Sequence, residues 1–227
     1  MARRLVTEFR GRGLLDYGCG DGTFLAYVSD LFPEAVGADL DPDEIARCSQ
    51  RFASSPSLSF KLIRDLEKER RESRTFDVVT CMEVLEHCTD ESRDRVLDDI
   101  SQLVAHDGVI IISVPVEIGP PLLIKETLRT IAGWRGLSDY RFKERYLLGE
   151  ILKMTFAGPR TLIERPLFPG STPHYGHKGF NWLSLQQRLR DSFALQTRHF
   201  SPLSWSRGWL SSQVWFVCKL RGSASLA

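Results

Sequence analysis

Short apolar runs and stretches of helical spacing alternate along the first half of this chain. Leu14–Tyr17, Ala35–Leu40, Leu58–Ile63, Phe76–Met82 and Val109–Val114 read as strands, the last being rich in β-branched residues. Between them, Phe24, Val28 and Leu31 fall on one helical face ahead of Pro33, and Ile45, Cys48 and Phe52 fall on another. Val96, Ile100, Leu103 and Val104 mark a third helix over Glu91–Ala105, stopped by Asp107-Gly108. Asp41-Pro42-Asp43-Glu44 predicts a helix start in which Asp41 caps, Pro42 fits the first turn and Glu44 closes a capping box. A short helix is expected within residues 2–10, and the charge run Lys68–Arg74 reads as a solvated loop or helix edge. Strands alternating with crossover helices predict a parallel sheet covered on both faces.

The rhythm breaks after Val116. Residues 116–180 hold Pro120-Pro121, aromatic side chains and helical signals near Ile124–Ile131 and Arg145–Met154, and they read as a lid inserted over the sheet. Ser184 and Gln187 suggest a capping box for a helix running to Arg190, followed by strands near Ala194–Phe200 and Gln213–Leu220. The connection between those two strands is too short for a helical crossover, so they should pair antiparallel. The expected architecture is α/β and Rossmann-like: a seven-stranded, mostly parallel sheet with an antiparallel last strand and helices on both faces. Residues 1–115 and 181–227 would form one domain, and 116–180 its insertion.

Composition narrows the picture only a little. Hydrophobic residues make up 42% of the 227 positions and charged residues 26%, as in an ordinary globular protein. Thirty Lys and Arg against 29 Asp and Glu provide no global field for a polyanion. The five cysteines are spread without a CxxC pair, which argues against a disulfide framework or zinc knuckle and fits a reducing cytoplasm. The basic start lacks the apolar run of a signal peptide, and no stretch has the length of a membrane span.

Candidate chemistry gathers at the carboxyl ends of the predicted strands, where such sheets bind ligands. Gly18, Gly20 and Gly22 follow the first strand, Asp39 ends the second, Asp65 follows the third, Glu83 the fourth, and Pro115 ends the fifth. A dinucleotide turn would need a third glycine where Thr23 stands, and no Gly-Lys-Ser/Thr follows for a phosphate-binding loop. Asp16 and Asp21 beside the turn would repel a pyrophosphate and attract a ligand carrying an ammonium and a sulfonium. S-adenosylmethionine is such a ligand.

The stretch DYGCGDG, with Asp39 ending the next strand, resembles the cofactor motif of the class I, Rossmann-like S-adenosylmethionine-dependent methyltransferases over about residues 10–115 and 181–220. That resemblance implies that Asp16, Gly18 and Gly20 line the methionine end, that Asp39 binds the ribose hydroxyls and that Asp65 reaches the adenine amine. A carboxylate about 20 residues after a glycine turn is independently suited to two ribose hydrogen bonds.

MEVLEHC places Glu83, Glu86 and His87 at spacings that one helical turn would bring to a common face. The segment is similar to the E-x-x-E-H motif of methyltransferases acting on ubiquinone-precursor catechols and of those acting on the terminal 2′-hydroxyl of small RNAs. The resemblance implies a divalent ion held by Glu83, Glu86 and His87, and His177 from HYGHKGFNW is the candidate for the later histidine. Mg²⁺, Mn²⁺ or Zn²⁺ could occupy such a set and acidify a substrate hydroxyl. In a metal-free reading Glu83 and His87 serve as base and positioning groups, with Glu83 also hydrogen-bonding near the cofactor; in a plainer one they are structural.

Cys81 and Cys88 read as packing residues, and Trp134, Trp182, Trp205 and Trp209 as core or interface residues rather than walls of a planar pocket. The insertion has ten Lys or Arg against six Asp or Glu, densest at Arg141–Arg145, which suits an anionic substrate, a membrane surface, RNA or merely a solvated face. The functional expectation is S-adenosylmethionine-dependent O-methylation of a small-molecule acceptor by direct displacement. RNA 2′-O-methylation assisted by a metal and a non-catalytic scaffold of the same fold are the alternatives.

Overall fold

The computed structural model describes residues 1–123, 147–170, 173–206 and 208–222. Its strands are β1 (Gly13–Tyr17), β2 (Glu34–Asp39), β3 (Leu58–Leu62), β4 (Phe76–Met82), β5 (Val104–Pro115), β6 (Leu167–Phe168), β7 (His174–Tyr175), β8 (Ala194–Pro202) and β9 (Ser211–Lys219). Its helices are α1 (Ala2–Thr7), α2 (Thr23–Val28), α3 (Pro42–Arg51), α4 (Leu66–Arg71), α5 (Asp90–Leu103), α6 (Leu148–Thr155) and α7 (Trp182–Ser192). Seven strands form one sheet in the order β3-β2-β1-β4-β5-β9-β8. The first five run parallel, and β9 lies antiparallel between β5 and β8.

Two apolar layers sandwich the sheet because successive strand residues point to opposite faces. Leu15, Val79, Ile110 and Ile112 pack with Leu66, Leu97, Ile100 and Leu189, under α4, α5 and α7. Their neighbours Leu14, Val78, Val109 and Ile111 pack with Val6, Leu25 and Val28, under α1 and α2. Every one of these side chains is within 3% of complete burial, each contributing roughly 1.5–3 kcal/mol of apolar stabilisation. A separate small core of Ile118, Leu122 and Met154 anchors the described part of the insertion near the exit of β5.

Several local expectations change. The helix expected to reach Leu31 ends at Val28, and Leu25 joins Val28 as its buried contact. Asp41 caps α3 by accepting from the Asp43 N–H at 2.8 Å, but Glu44 turns to Arg47 at 2.6 Å instead of closing a capping box. The helix expected to run to Ala105 stops at Leu103, where β5 begins early and pairs Val104 with Phe76 before a bulge. For α7, Asn181 is the cap, accepting from the Leu183 and Ser184 N–H groups, so the helix starts earlier than a Ser184–Gln187 box would place it.

The charge run is also more than a solvated edge. It forms α4, whose Glu69 is only 5% exposed and bound to Lys61 and to Arg74. Burial works against the Glu69 carboxylate, yet the two cations outweigh it and hold the group below the usual carboxylate range. The Ile124–Ile131 helical signal and the Arg141–Arg145 patch lie outside the described residues. Among the described residues, no helix is long and apolar enough to cross a membrane.

Candidate active site

A cleft of about 620 Å³ opens at the carboxyl edge of the parallel strands. Gly18 and Gly20 from the β1 turn, Asp39 and Leu40 from the end of β2, Ile63 after β3, and Glu83, Val84 and His87 after β4 all line it. Four separate strand ends reach one cavity because parallel strands point their carboxyl ends in the same direction.

The two cleft glycines do different work. Gly18 has φ +82°, and a Cβ there would stand 2.3 Å from Val84 Cγ2, so the turn packs directly against the β4 exit. Gly20 has φ +50°, and a Cβ would meet no atom within 4 Å, which leaves its backbone open to a ligand. Asp39 secures the turn: Oδ2 accepts the Gly20 N–H at 2.9 Å and Oδ1 accepts the Asp41 N–H at 3.0 Å. Each oxygen retains a lone pair for a ligand hydroxyl.

Asp16 and Asp65 do not line this cleft. Asp16 is 2% exposed behind the turn, where Thr80 Oγ1 donates to its Oδ1 at 2.7 Å. Burial raises its pKa to about 7, although the Thr80 hydrogen bond opposes the rise. Asp65 ends a short 3₁₀ turn and lies 3.9 Å from Arg64, with Ile63 of the same turn reaching the cleft in its place.

The segment after β4 is not the helical turn expected from its spacing. It is a tight turn in which the His87 N–H donates to the Val84 carbonyl at 3.0 Å. Glu83 takes φ +56°, an uncommon conformation for a residue with a Cβ. Its N–H donates to the Ser113 carbonyl at 3.0 Å, and its carboxylate accepts from Ser113 Oγ at 3.2 Å and from Gln213 Nε2 at 3.3 Å. Ser113 and Gln213, from β5 and β9, thus set the direction of Glu83. Neither residue was legible as part of the site before the sheet order was known.

Glu86, His87 and His177 do come together, with one potential ligand atom from each lying within 4.8 Å of the others. His87 Nδ1 lies 2.8 Å from the Tyr175 carbonyl, which requires Nδ1–H as donor and leaves Nε2 as the basic nitrogen. That Nε2 is 3.2 Å from Nε2 of His177. Glu86 is fully buried, and neither of its carboxylate oxygens has a hydrogen bond of acceptable geometry. Burial, reinforced by the neighbouring charge of Glu83, raises the Glu86 pKa to about 9. Burial also raises that of Glu83.

Cys81 is fully buried and Cys88 half-buried, and burial pushes both thiols up, consistent with packing roles. Trp182 packs edge-on against Phe200, Trp205 and Trp209 are exposed, and none of these three lines the cleft. Trp134 lies outside the described residues.

Residues 15–110 match the family described as "Methyltransferase domain". The chain is 33% identical over 102 residues to a ubiquinone biosynthesis O-methyltransferase of Colwellia psychrerythraea, covering 44% of this chain and 40% of that protein. It is also 33% identical over 107 residues to the mitochondrial enzyme of that name from Schizosaccharomyces pombe, covering 46% and 38% respectively. The chain thus matches about two fifths of the length of these curated relatives.

In three dimensions it is similar to the PH0226 protein of Pyrococcus horikoshii, with TM-score 0.60, 16% identity, and 96% and 87% of the two chains covered. It is also similar to the magnesium protoporphyrin IX methyltransferase of Synechocystis with bound SAH, with TM-score 0.54, 16% identity, and 96% and 82% covered. The glycine turn, the acid ending β2 and the antiparallel β9 agree with that likeness: residues 15–110 match the methyltransferase-domain family, and the sheet has the class I, Rossmann-like methyltransferase fold.

Proposed function

We propose that the protein moves a methyl group from S-adenosylmethionine to an oxygen of a small-molecule acceptor. The observation that carries this reading is the orientation of His87, whose Nδ1 is committed to the Tyr175 carbonyl while Nε2 faces the site beside a cofactor-sized cleft. The curated relatives, named as O-methyltransferases, support the acceptor atom.

The cleft suits an adenosyl ligand. Asp39 offers two acceptors to ribose hydroxyls, and Leu40, Ile63 and Val84 give apolar walls to a flat base. Leu40 is 63% exposed, an apolar surface that an aromatic base would cover. The open side of Gly20 admits the ligand against backbone, and Glu83 and Asp39 face a cation with negative charge.

The donor set at Glu86, His87 and His177 also fits a divalent ion. A buried carboxyl without hydrogen-bond partners costs about 1–3 kcal/mol, and a cation beside it would offset that cost. One hydrogen bond from its Nδ1 already orients the His87 ring, as ligating imidazoles require. When bound, the cofactor supplies a methyl activated on sulfonium, and the ion would supply Lewis acidity that lowers the pKa of a hydroxyl.

The chain's own part is alignment and proton removal. As the oxygen–carbon bond forms and the sulfur–carbon bond breaks, the acceptor's proton passes to Nε2 of His87 in the metal-free site, and the Tyr175 carbonyl accepts from Nδ1–H of the resulting imidazolium. With an ion held there, Nε2 would be a ligand and the hydroxyl would be acidified by the ion instead. From the insertion, Pro173 and His174 wall the cleft and His177 meets His87, which covers one side of the site.

RNA 2′-hydroxyl methylation is the second reading, favoured by the arrival of His177 beside His87. Incubation with methyl-labelled cofactor separates the readings. Label in a hydroxylated aromatic small molecule is the expected result. Label only at the terminal ribose of short RNA would replace it, and no calorimetric binding of either S-adenosylmethionine or S-adenosylhomocysteine would favour a scaffold.

A further inference from the structure

Arg165 lies in the insertion, outside the cofactor cleft, yet its guanidinium joins both halves of the histidine site. Nη2 donates to the carbonyl of Glu86 and to that of Gly176, the latter at 2.7 Å, and Nε donates to the carbonyl of Lys178 at 3.4 Å. The same group lies over the Tyr175 ring at 4.4 Å and near the Phe180 ring at 5.2 Å. Its carbonyl partners therefore adjoin His87 on one segment and bracket His177 on the other.

Tyr175 completes the junction. Its N–H donates to the His87 carbonyl at 2.9 Å while its own carbonyl accepts from His87 Nδ1. Two chain segments that share no β-ladder with each other are thus joined by one backbone hydrogen bond, one imidazole hydrogen bond and the arginine fork.

We propose that Arg165 is a positioning residue that assembles the two-histidine site by fastening the His174–Lys178 segment of the insertion to the Glu86–His87 turn. This deepens the functional reading above and rests on it for the catalytic consequence. Only a planar fork with several fixed donors can reach carbonyls on both segments while stacking on an aromatic ring, so lysine is a poor substitute. Burial beside Arg93 depresses the Arg165 pKa only to about 10, so the fork remains charged at neutral pH.

The test compares wild type, Arg165→Met and Arg165→Lys by three measurements. Hydrogen exchange should show residues 174–178 losing protection in Arg165→Met, with the Tyr175 amide affected most, while β4 and β5 keep theirs. S-adenosylhomocysteine affinity should stay within about twofold, because Arg165 does not line the cofactor cleft. Titration with Zn²⁺ alone should show binding weakened about 10–100-fold, the range seen when support around a ligand is lost. Turnover should drop by a similar factor with KM for the cofactor unchanged, and Arg165→Lys should recover only part of the loss.

Unchanged protection at 174–178 in a folded Arg165→Met protein would overturn the proposal. If that variant does not fold, Arg165→Lys with wild-type protection, Zn²⁺ affinity and turnover would do the same. Failure of the functional reading looks different: wild type would bind no Zn²⁺ and transfer no methyl, while the exchange data would still decide whether Arg165 fastens the segment.

Discussion

His87 and His177, 90 positions apart, present their Nε2 atoms to each other at 3.2 Å. Two neutral imidazoles can hold that approach only by sharing a proton or by flanking a cation. In either state Nε2 of His87 serves proton removal, as the base once a substrate hydroxyl takes the place of His177, or as a ligand of a cation that acidifies the hydroxyl. His87→Ala should therefore lower kcat by about 10²–10⁴-fold, the usual contribution of a general base, and leave S-adenosylhomocysteine binding within a few-fold. Steady-state turnover paired with calorimetry checks both halves, and full activity in the variant would remove His87 from the mechanism.

The two cleft glycines should respond differently to alanine. Gly18→Ala drives a Cβ into Val84 and strains a left-handed backbone, so the protein should lose stability by roughly 1–3 kcal/mol with or without ligand. Gly20→Ala meets no neighbour, so its folding cost should stay near 1 kcal/mol while cofactor affinity falls. Thermal melts with and without S-adenosylhomocysteine distinguish the cases: ligand should still raise the melting temperature of a folded Gly18→Ala protein more than that of Gly20→Ala.

Asp39 ties the glycine turn to the end of β2 and faces the cleft. Asp39→Asn loses the charge and one acceptor, which should weaken S-adenosylhomocysteine binding by about 10–100-fold, as expected for a charged hydrogen-bond partner worth about 1.5–3 kcal/mol. Calorimetry reads this directly. Unchanged affinity would show that the ribose sits elsewhere.

Asp16 predicts a pH effect on the ligand-free protein. Its folded pKa is raised from 3.8 to about 7, so the folded state binds this proton more tightly than the unfolded chain. The associated stability is full below about pH 4 and is lost as pH rises toward 7, on the order of 4 kcal/mol in all. Asp16→Asn can still accept from Thr80 and should be the more stable protein at pH 8, with little difference near pH 4. Urea titrations across that range provide the check; parallel curves would mean that Asp16 ionises freely.

Much of the sheet was legible because its strands are buried on both faces. Mostly apolar runs such as Val109–Val114 and Phe76–Met82 have no other stable place in a chain of this composition, and β4 occupies the predicted residues. The helices were less legible at their ends. Leu103 and Val104 share a helical face in the sequence, yet Val104 gains more by pairing with Phe76 and leaves the helix. At α7, Asn181 outcompeted Ser184 because it alone precedes the apolar face and reaches two free N–H groups.

The site divides in the same way. Gly18, Gly20 and Asp39 were readable because turn conformation and strand-end placement are local properties, and MEVLEHC and HYGHKGFNW were readable as clusters of ligand-capable side chains. Arg165, Ser113, Gln213 and the Tyr175 backbone left no such signal: an arginine among other charges, or a serine in a strand, looks the same whether or not it meets a partner. Asp16 shows the converse, an acid whose place beside the glycine turn suggested ligand contact but whose strand parity turns it toward Thr80 and away from the cleft.

By itself the sequence determined the succession of the seven main-sheet strands, the glycine turn and the acid that closes β2, since periodicity and backbone sterics act over a few residues. Only the tertiary structure decided that Glu83 would be turned by β5 and β9, that Asp16 would be buried, and that His177 would meet His87 through Arg165 and Tyr175. Those outcomes depend on hydrogen bonds between segments up to 130 positions apart, which no local pattern encodes.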